Sequence, residues 1–211
     1  MKKSALIGSI VVLVLLAGMA LPGAVLAQGP GFYIGVGAGR SEIDSPGDYS
    51  DFDDTDTAIK AFVGYAINKG FALEAGYADL GSYAQNPDPA EPTIRSVQEA
   101  KAKYLAGVGI MPLSERIGLF AKIGIAMWDF DVTLSDPLTP GVSLRGSSDG
   151  VDTMFAIGFQ FDLKPLLICI EYEQYQDVGD GLRAVPLPPD PPFKIDGTDV
   201  DVFGLSVAFM F

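Results

Sequence analysis

The chain has 211 residues, a net charge of −13 and a mean hydropathy of +0.28, which is high for so acidic a protein. The charge argues against nucleic acid as a partner, and the single cysteine, Cys169, cannot form an internal disulfide. After residue 27, no segment approaches the roughly 20 apolar residues of a spanning helix, so a membrane form of this chain has to cross the bilayer as strands.

The first 27 residues have the pattern of a cleaved signal peptide. Lys2 and Lys3 form a positive start, residues 5–21 are apolar and uncharged, and Val25 and Ala27 supply the small side chains of a peptidase site. The alternative is an uncleaved anchor, for which the apolar run is slightly short. We predict a cleaved signal peptide over 1–27 and one domain over 28–211.

Alternation of bulky apolar residues with small or charged ones runs through the rest of the chain. Each alternating segment has about ten residues, the length that a tilted strand needs to cross a bilayer. One face of each segment is bulky, while the other is rich in glycine and small residues, as the lumen of a narrow barrel requires. The predicted strands cover 32–39, 57–67, 71–78, 101–110, 117–128, 151–162, 166–173 and 202–211.

The connections between these strands alternate in length, which is typical of outer-membrane barrels with short periplasmic turns and long extracellular loops. The short connections are 68–70, 112–116 and 163–165, and the long polar ones are 41–56, 79–98, 131–150 and 177–198.

The lipid environment requires the sheet to be closed. In lipid, every backbone N–H and C=O needs a partner within the protein, so the first strand has to pair with the last. The predicted fold is a closed, antiparallel, all-β transmembrane barrel of about eight strands over 28–211. Aromatic residues at strand ends, namely Phe32, Tyr77, Tyr172 and Phe211, fit the interfacial girdles of such a barrel.

The chain resembles the small eight-stranded outer-membrane barrels, such as the OmpA-like transmembrane domain and the opacity-type surface proteins. The segments that carry the resemblance are GFYIGVGAG (31–39), FVGY (62–65), FALEAGY (71–77), LFAKIG (119–124) and VFGLSVAFMF (202–211). The last segment looks like the terminal strand that the barrel-assembly machinery recognises, with Phe209 and Phe211 as its aromatic signal. The resemblance implies location in the outer membrane. Larger OmpA-type proteins continue into a domain that binds peptidoglycan, and we expect that domain to be absent here.

Charged residues on the inward face are the main candidate site. Alternation places both signs in the lumen, where they either line a pore or pair into a plug, and we favour the plug because the lumen is narrow. The resemblance implies a similar ion-pair network, with Glu74 and Lys122 as members. The predicted lumen charges are Lys60, Glu74, Lys101, Lys103, Lys122, Asp152, Glu171 and Glu173.

Enzymatic chemistry has little support in the sequence. The chain contains no His, the general base of the enzymes built on similar barrels, and no motif suggests another mechanism. We therefore predict no catalytic residue, no cofactor and no specific metal site. The acidic run 51–56 in the first loop lacks the central Gly and terminal Glu of a calcium loop, so we interpret it as a solvated loop, with weak cation bridging to lipopolysaccharide left open.

The expected partners follow from the fold: outer-membrane lipid and lipopolysaccharide, the barrel-assembly machinery and an unidentified surface ligand, with the protein itself a monomer. The fourth loop contains five prolines between 186 and 192, which either present an extended binding epitope or stiffen the surface. Three functions are compatible with these patterns: a structural or surface-interaction protein, a narrow channel, and a soluble periplasmic binding barrel.

Overall fold

The computed structural model describes residues 30–43, 52–85, 95–135, 143–181, 183–184, 193–194 and 197–211. These ranges contain no helix that is long and apolar enough to span a membrane. Eight long antiparallel strands account for most of the described chain: β1 (Gly31–Ile43), β2 (Thr55–Asn68), β3 (Phe71–Gln85), β4 (Arg95–Pro112), β5 (Ile117–Ser135), β6 (Ser143–Leu163), β7 (Leu166–Val178) and β8 (Thr198–Met210).

The eight strands form a closed barrel in which each strand pairs with its sequence neighbours and β1 also pairs with β8. The β1–β8 register runs from Tyr33 opposite Met210 to Ile43 opposite Val200. Beyond it, the Phe211 N–H donates to the Phe32 carbonyl at 2.9 Å. The predicted closed barrel of eight strands is therefore confirmed, with the first strand joined to the last.

The described residues also include three strands of two residues each. Phe52–Asp53 pairs with the end of β3, and Arg183–Ala184 pairs with Phe193–Lys194 in a separate two-stranded sheet.

The strands are longer than predicted. They have 13 to 21 residues, and the longest are β5 and β6, which extend from both sides into the predicted loop 131–150. The prediction counted only the length needed to cross lipid, whereas inward side chains beyond that length, such as Leu80 and Phe130, are also buried. The short turns at the opposite end agree with the prediction: two residues join β2 to β3 and β6 to β7, and four join β4 to β5.

The outward face carries a belt of exposed apolar side chains around the barrel. Its members include Phe32, Ile34, Val36, Ile59, Val63, Leu73, Leu105, Ile125, Phe159, Ile170, Leu205 and Phe209. Exposed apolar surface of this extent is stable only against lipid, so the belt marks the membrane-spanning zone.

The inward face forms one continuous core along the barrel axis. Toward the extracellular end it is a layer of fully buried apolar and aromatic side chains, among them Leu80, Tyr83, Tyr175, Val178 and Val200. This layer fills the barrel above the predicted charge network.

Candidate functional site

Five of the predicted lumen charges meet at the centre of the barrel. Each sits on the inward face of its strand, because alternation sends every second side chain to the axis. All five are buried: Lys60 on β2, Glu74 on β3, Lys122 on β5, and Glu171 and Glu173 on β7.

Two ammonium groups hold the three carboxylates together. Lys122 Nζ lies 2.6 Å from Glu74 Oε1, 2.9 Å from Glu171 Oε2 and 3.9 Å from Glu173 Oε1. Lys60 Nζ lies 2.6 Å from Glu171 Oε1 and 2.8 Å from Glu173 Oε1. Glu171 therefore bridges both lysines, and the five residues of the network link four strands across the lumen, β2, β3, β5 and β7.

Hydroxyl groups from four strands complete the network, and the sequence analysis did not identify them. Tyr33 and Tyr104 donate to Glu74 Oε2 and Oε1 at 3.1 and 2.9 Å, Ser206 donates to Glu171 Oε1 at 2.7 Å, and Tyr175 donates to Glu173 Oε2 at 3.4 Å. For Tyr33 and Ser206 the signal was available, since both lie on the predicted inward faces of their strands.

Aromatic rings also surround the two lysines. Lys60 Nζ lies 5.4 Å from the Phe62 ring centroid, and Lys122 Nζ lies 5.6 Å from Phe62 and 5.4 Å from Phe120. Cation–π attraction is strongest where water is excluded, so these rings support the buried ammonium groups.

The network separates two cavities along the barrel axis. The cavity on the extracellular side is small and is lined by Lys60, Glu171, Glu173 and mostly apolar residues. The cavity on the periplasmic side is also small and is lined by Glu74, Lys122 and mostly apolar side chains. The charged network thus lies between two apolar compartments and interrupts any path along the lumen.

Lys101 and Lys103 are not in the lumen, and the prediction that placed them there was wrong. They project outward from β4, with side chains 39% and 61% exposed, and each lies 3.8 Å from an acidic group, Glu99 and Asp129 respectively. The inward face of β4 carries Tyr104 instead. Both faces of this strand are partly apolar, and the two lysines lie at the upper edge of the lipid belt: Lys103 is opposite Tyr77 and Met127, and Lys101 is one row above it.

Asp152 lies apart from the five-residue network. It accepts a hydrogen bond from Trp128 Nε1 at 2.9 Å near the extracellular rim. Cys169 is buried on the inward face and lines the periplasmic cavity.

At the opposite end of the barrel, the predicted assembly residues Phe209 and Phe211 both face outward. Their ring centroids are 5.3 Å apart in an edge-to-face arrangement.

The extracellular end beyond the lipid belt is rich in carboxylates. At the end of β7, loss of water around the carboxyl group and the nearby charges of Asp152, Asp199 and Asp180 raise the pKa of Asp177. The N–H of Asp177 donates to Asp199 Oδ1 at 3.3 Å. The predicted signal peptide, Asp51 of the acidic run and the prolines of the fourth loop lie outside the described residues, whereas residues 52–56 of that run are described and Asp56 lies in β2.

Comparisons with known proteins agree with this geometry. The family model for the OmpA-like transmembrane domain matches residues 27–195. No curated protein matches the chain in sequence.

Solved structures that share the fold include three outer-membrane barrels. Ail of Yersinia pestis, crystallised with the heparin analogue sucrose octasulfate, is 15% identical over 87% of this chain and all of its own, with a TM-score of 0.55. Neisserial surface protein A is 11% identical with the same coverage and a TM-score of 0.58. OprG of Pseudomonas aeruginosa is 12% identical over 88% of this chain and 99% of its own, with a TM-score of 0.55.

Proposed function

Because this chain belongs to the family of OmpA-like transmembrane domains, we propose that it is a structural and surface-interaction protein whose recognition is carried by its extracellular end. The family places the chain in the outer membrane, which confirms the predicted location. The alternative of a soluble periplasmic protein is therefore wrong. The barrel is the rigid mount, and the partner binds outside the lumen.

The observation that carries the proposal is the filled interior. The ion-pair network spans the lumen, and above it a layer that includes Leu80, Tyr83 and Tyr175 is fully buried. A barrel of eight strands is just wide enough for its side chains to fill, so a large ligand has no space inside. The remaining surface for recognition is the extracellular end.

The charge at that end favours a basic partner. Acidic residues outnumber basic ones among the outward side chains beyond the lipid belt: Glu42, Asp79, Glu99, Asp129, Asp131, Asp149, Asp199 and Asp201, against Arg40, Lys101, Lys103 and Arg145. Ail was crystallised with a polyanion. Complementary electrostatic potentials favour association, so the negative extracellular end of this chain favours a positively charged ligand.

The test uses refolded protein in vesicles and two probes, poly-L-lysine and heparin, with binding measured by interferometry at several salt concentrations. We expect salt-sensitive binding of poly-L-lysine and no binding of heparin. The variant E99Q/D129N/D131N should weaken poly-L-lysine binding about threefold or more. The matched control E115Q/D162N, which neutralises the periplasmic end, should bind like wild type. Preference for heparin, or equal loss in both variants, contradicts the proposal.

A second candidate function is a narrow channel, which the two cavities on either side of the network favour. Such a channel would conduct only when the ion pairs rearrange. Planar-bilayer recordings of the refolded protein decide between the two functions. We expect a silent membrane for wild-type protein, while regular conductance steps would support the channel.

Several finer expectations belong to the same proposal. The chain acts without catalysis, is exported by the signal peptide over 1–27, is assembled into the membrane through the aromatic end of β8, and works as a monomer. The absence of His from the whole sequence supports the first, and the apolar run at 5–21 supports the second.

A further inference from the structure

The wall of the barrel rises unevenly above the lipid belt. β5 and β6 pair with each other up to Ser135 opposite Ser143, whereas the pairing of β6 with β7 stops at Met154 opposite Tyr175. The first part of β6 therefore has a strand partner on the β5 side only. Residues 145–151 of this part are named the β6 edge, and no described residue pairs with them on the side away from β5.

The backbone of the β6 edge directs every second donor and acceptor away from β5. In an antiparallel pair, alternate residues exchange both hydrogen bonds with the partner strand. Just before β5 begins, the Arg116 carbonyl accepts the Asp162 N–H at 2.8 Å, and the register continues from there to Ser143 without a bulge. Even-numbered residues of β6 therefore bond to β5. The odd-numbered ones direct their N–H and C=O groups to the open side, and on the edge these are Arg145, Ser147, Asp149 and Val151.

The β6 edge is accessible from outside the membrane. Residues 145–147 are exposed in succession, so neither face of the strand is covered there. Val151 is 60% exposed opposite Met127 at the top of the lipid belt, and the residues before it lie above the lipid. The Ser148 hydroxyl donates to the Asp180 carbonyl at 3.0 Å, a contact to the β7–β8 connection that does not use the odd-numbered backbone groups.

The opposite edge of the same raised sheet is covered by the chain itself. The β2–β3 register ends at Asp79, and above it Phe52–Asp53 pairs with the last two residues of β3. The Asp56 carboxylate also accepts the Ser82 N–H. An unpaired edge is a template for another strand, and proteins normally cover or interrupt such edges. Within the described ranges, this protein covers the β3 side and leaves the β6 side open.

Charge at the β6 edge indicates which kind of strand fits. On the outward face, β5 places Asp129 opposite Asp149 and Asp131 opposite Ser147. Against these three carboxylates stand Arg145 on the edge itself and one lysine of β4, which lies 3.8 Å from Asp129. Opposite charges on neighbouring strands attract, so the outward side chains of an added strand are favoured to be lysine or arginine.

We propose that the β6 edge binds an extended segment of a partner polypeptide, rich in lysine or arginine, as an additional strand of the sheet. In this mode of recognition, main-chain hydrogen bonds supply affinity and alternate side chains supply specificity. The inference rests on the proposed function, in which the partner is basic, and adds where that partner binds and in which conformation.

The first test compares two peptides of identical sequence and charge. One is an octapeptide of alternating lysine and valine, and the other is the same peptide with every backbone amide N-methylated, which cannot donate to the edge. Binding is measured by interferometry on refolded protein in phosphatidylcholine vesicles. The unmodified peptide should bind about tenfold more tightly or better, because several main-chain hydrogen bonds are lost on methylation.

A second test changes the edge itself. S147P removes an N–H on the open side and keeps the bonds to β5, which use even-numbered residues, and proline is tolerated on edge strands. This variant should bind the unmodified peptide about fivefold more weakly or worse. The matched control S147A, which keeps the N–H, should stay within about twofold of wild type. A heat-dependent gel shift verifies that both variants are folded.

Amide exchange of the refolded protein, followed by NMR in micelles, locates the bound strand. In the free protein, the amides of Ser147 and Asp149 should exchange faster than those of Gly146 and Ser148, which bond to β5. Addition of the unmodified peptide should slow the two odd-numbered amides about tenfold or more. Slow exchange in the free protein would mean that another part of the chain or a second copy already covers the edge, and this result overturns the inference.

The remaining outcomes separate the inference from the proposed function. Equal affinity for the two peptides keeps a basic partner but overturns strand addition at the β6 edge. The same holds if S147P binds like wild type, or if S147P and S147A lose equal affinity. Absence of binding for both peptides contradicts the proposed function and the inference together.

Discussion

At the scale of single residues, Lys122 has the greatest influence on the interior. It is the only side chain of the network that contacts all three glutamates, and two aromatic rings shield it from water. A buried ion pair adds little net stability when intact, but its disruption leaves charges unpaired in a medium of low dielectric constant. The network therefore restricts which substitutions the lumen tolerates.

Replacing Lys122 with methionine (K122M) should lower the free energy of unfolding by about 3–5 kcal/mol, because Glu74 loses its ion-pair partner and Glu171 loses one of its two, while the apolar contacts are kept. Urea titration in detergent micelles, followed by the fluorescence of Trp128, measures the change.

The matched control is K103M, which removes an exposed lysine whose nearest carboxylate oxygen is 3.8 Å away. It should change stability by less than about 0.5 kcal/mol. Similar losses for the two variants would mean that the lumen is hydrated and that the network is not buried.

At the scale of the strands, glycine and tyrosine face each other across β3 and β4. Gly76 lies opposite Tyr104, and a Cβ atom built on Gly76 would collide with the ring of that tyrosine. The missing side chain lets Tyr104 lie flat against the wall and reach Glu74. Inward glycines are therefore part of the packing that holds the network.

The variant G76A should destabilise the barrel by about 1–3 kcal/mol, because the added methyl group displaces the Tyr104 ring from a filled lumen. The control is G107A on β4, where the nearest atom to an added Cβ is 3.9 Å away. Alanine fits there, and lower backbone entropy of the unfolded chain should leave stability unchanged or slightly higher. Thermal unfolding followed by circular dichroism compares the two, and equal melting temperatures would contradict the packing role.

At the scale of the whole molecule, closure depends on backbone pairing between β1 and β8, and not on the side chain at the C-terminus. Phe211 is 78% exposed, and its contribution to closure is the N–H that it donates to Phe32. Its ring contacts Phe209 on the lipid face. The ring is therefore available as a signal during assembly.

The variant F211A should lower the amount of folded protein in the outer membrane of living cells about tenfold, while the refolded barrel keeps its stability within about 1 kcal/mol. The control F203A removes a similarly exposed aromatic ring, 63% exposed, from the middle of β8. It should assemble normally. Heat-dependent mobility on gels of isolated membranes measures the folded fraction. Equal yields of folded protein for the two variants would exclude a special role for the terminal ring.

How much of the site was predictable depended on how different the two faces of each strand are. On β7, Glu171 and Glu173 alternate with Ile170 and Tyr172, so their inward position was clear from the pattern. On β4, Tyr104 and Leu105 are both bulky and lie on opposite faces, so alternation alone does not show which face is inward. Lys101 and Lys103 were therefore assigned to the wrong face. The network hydroxyls come from strands far apart in the chain, so only the register brings them together.

The amino-acid sequence by itself determined the barrel, its closure and the direction of most side chains, because a period of two and the need to satisfy every backbone group in lipid leave few other folds. Only the tertiary structure decided which charges meet and how far the strands rise above the membrane. Those outcomes depend on register between neighbouring strands, and shifting that register by one residue moves every side chain to the other face.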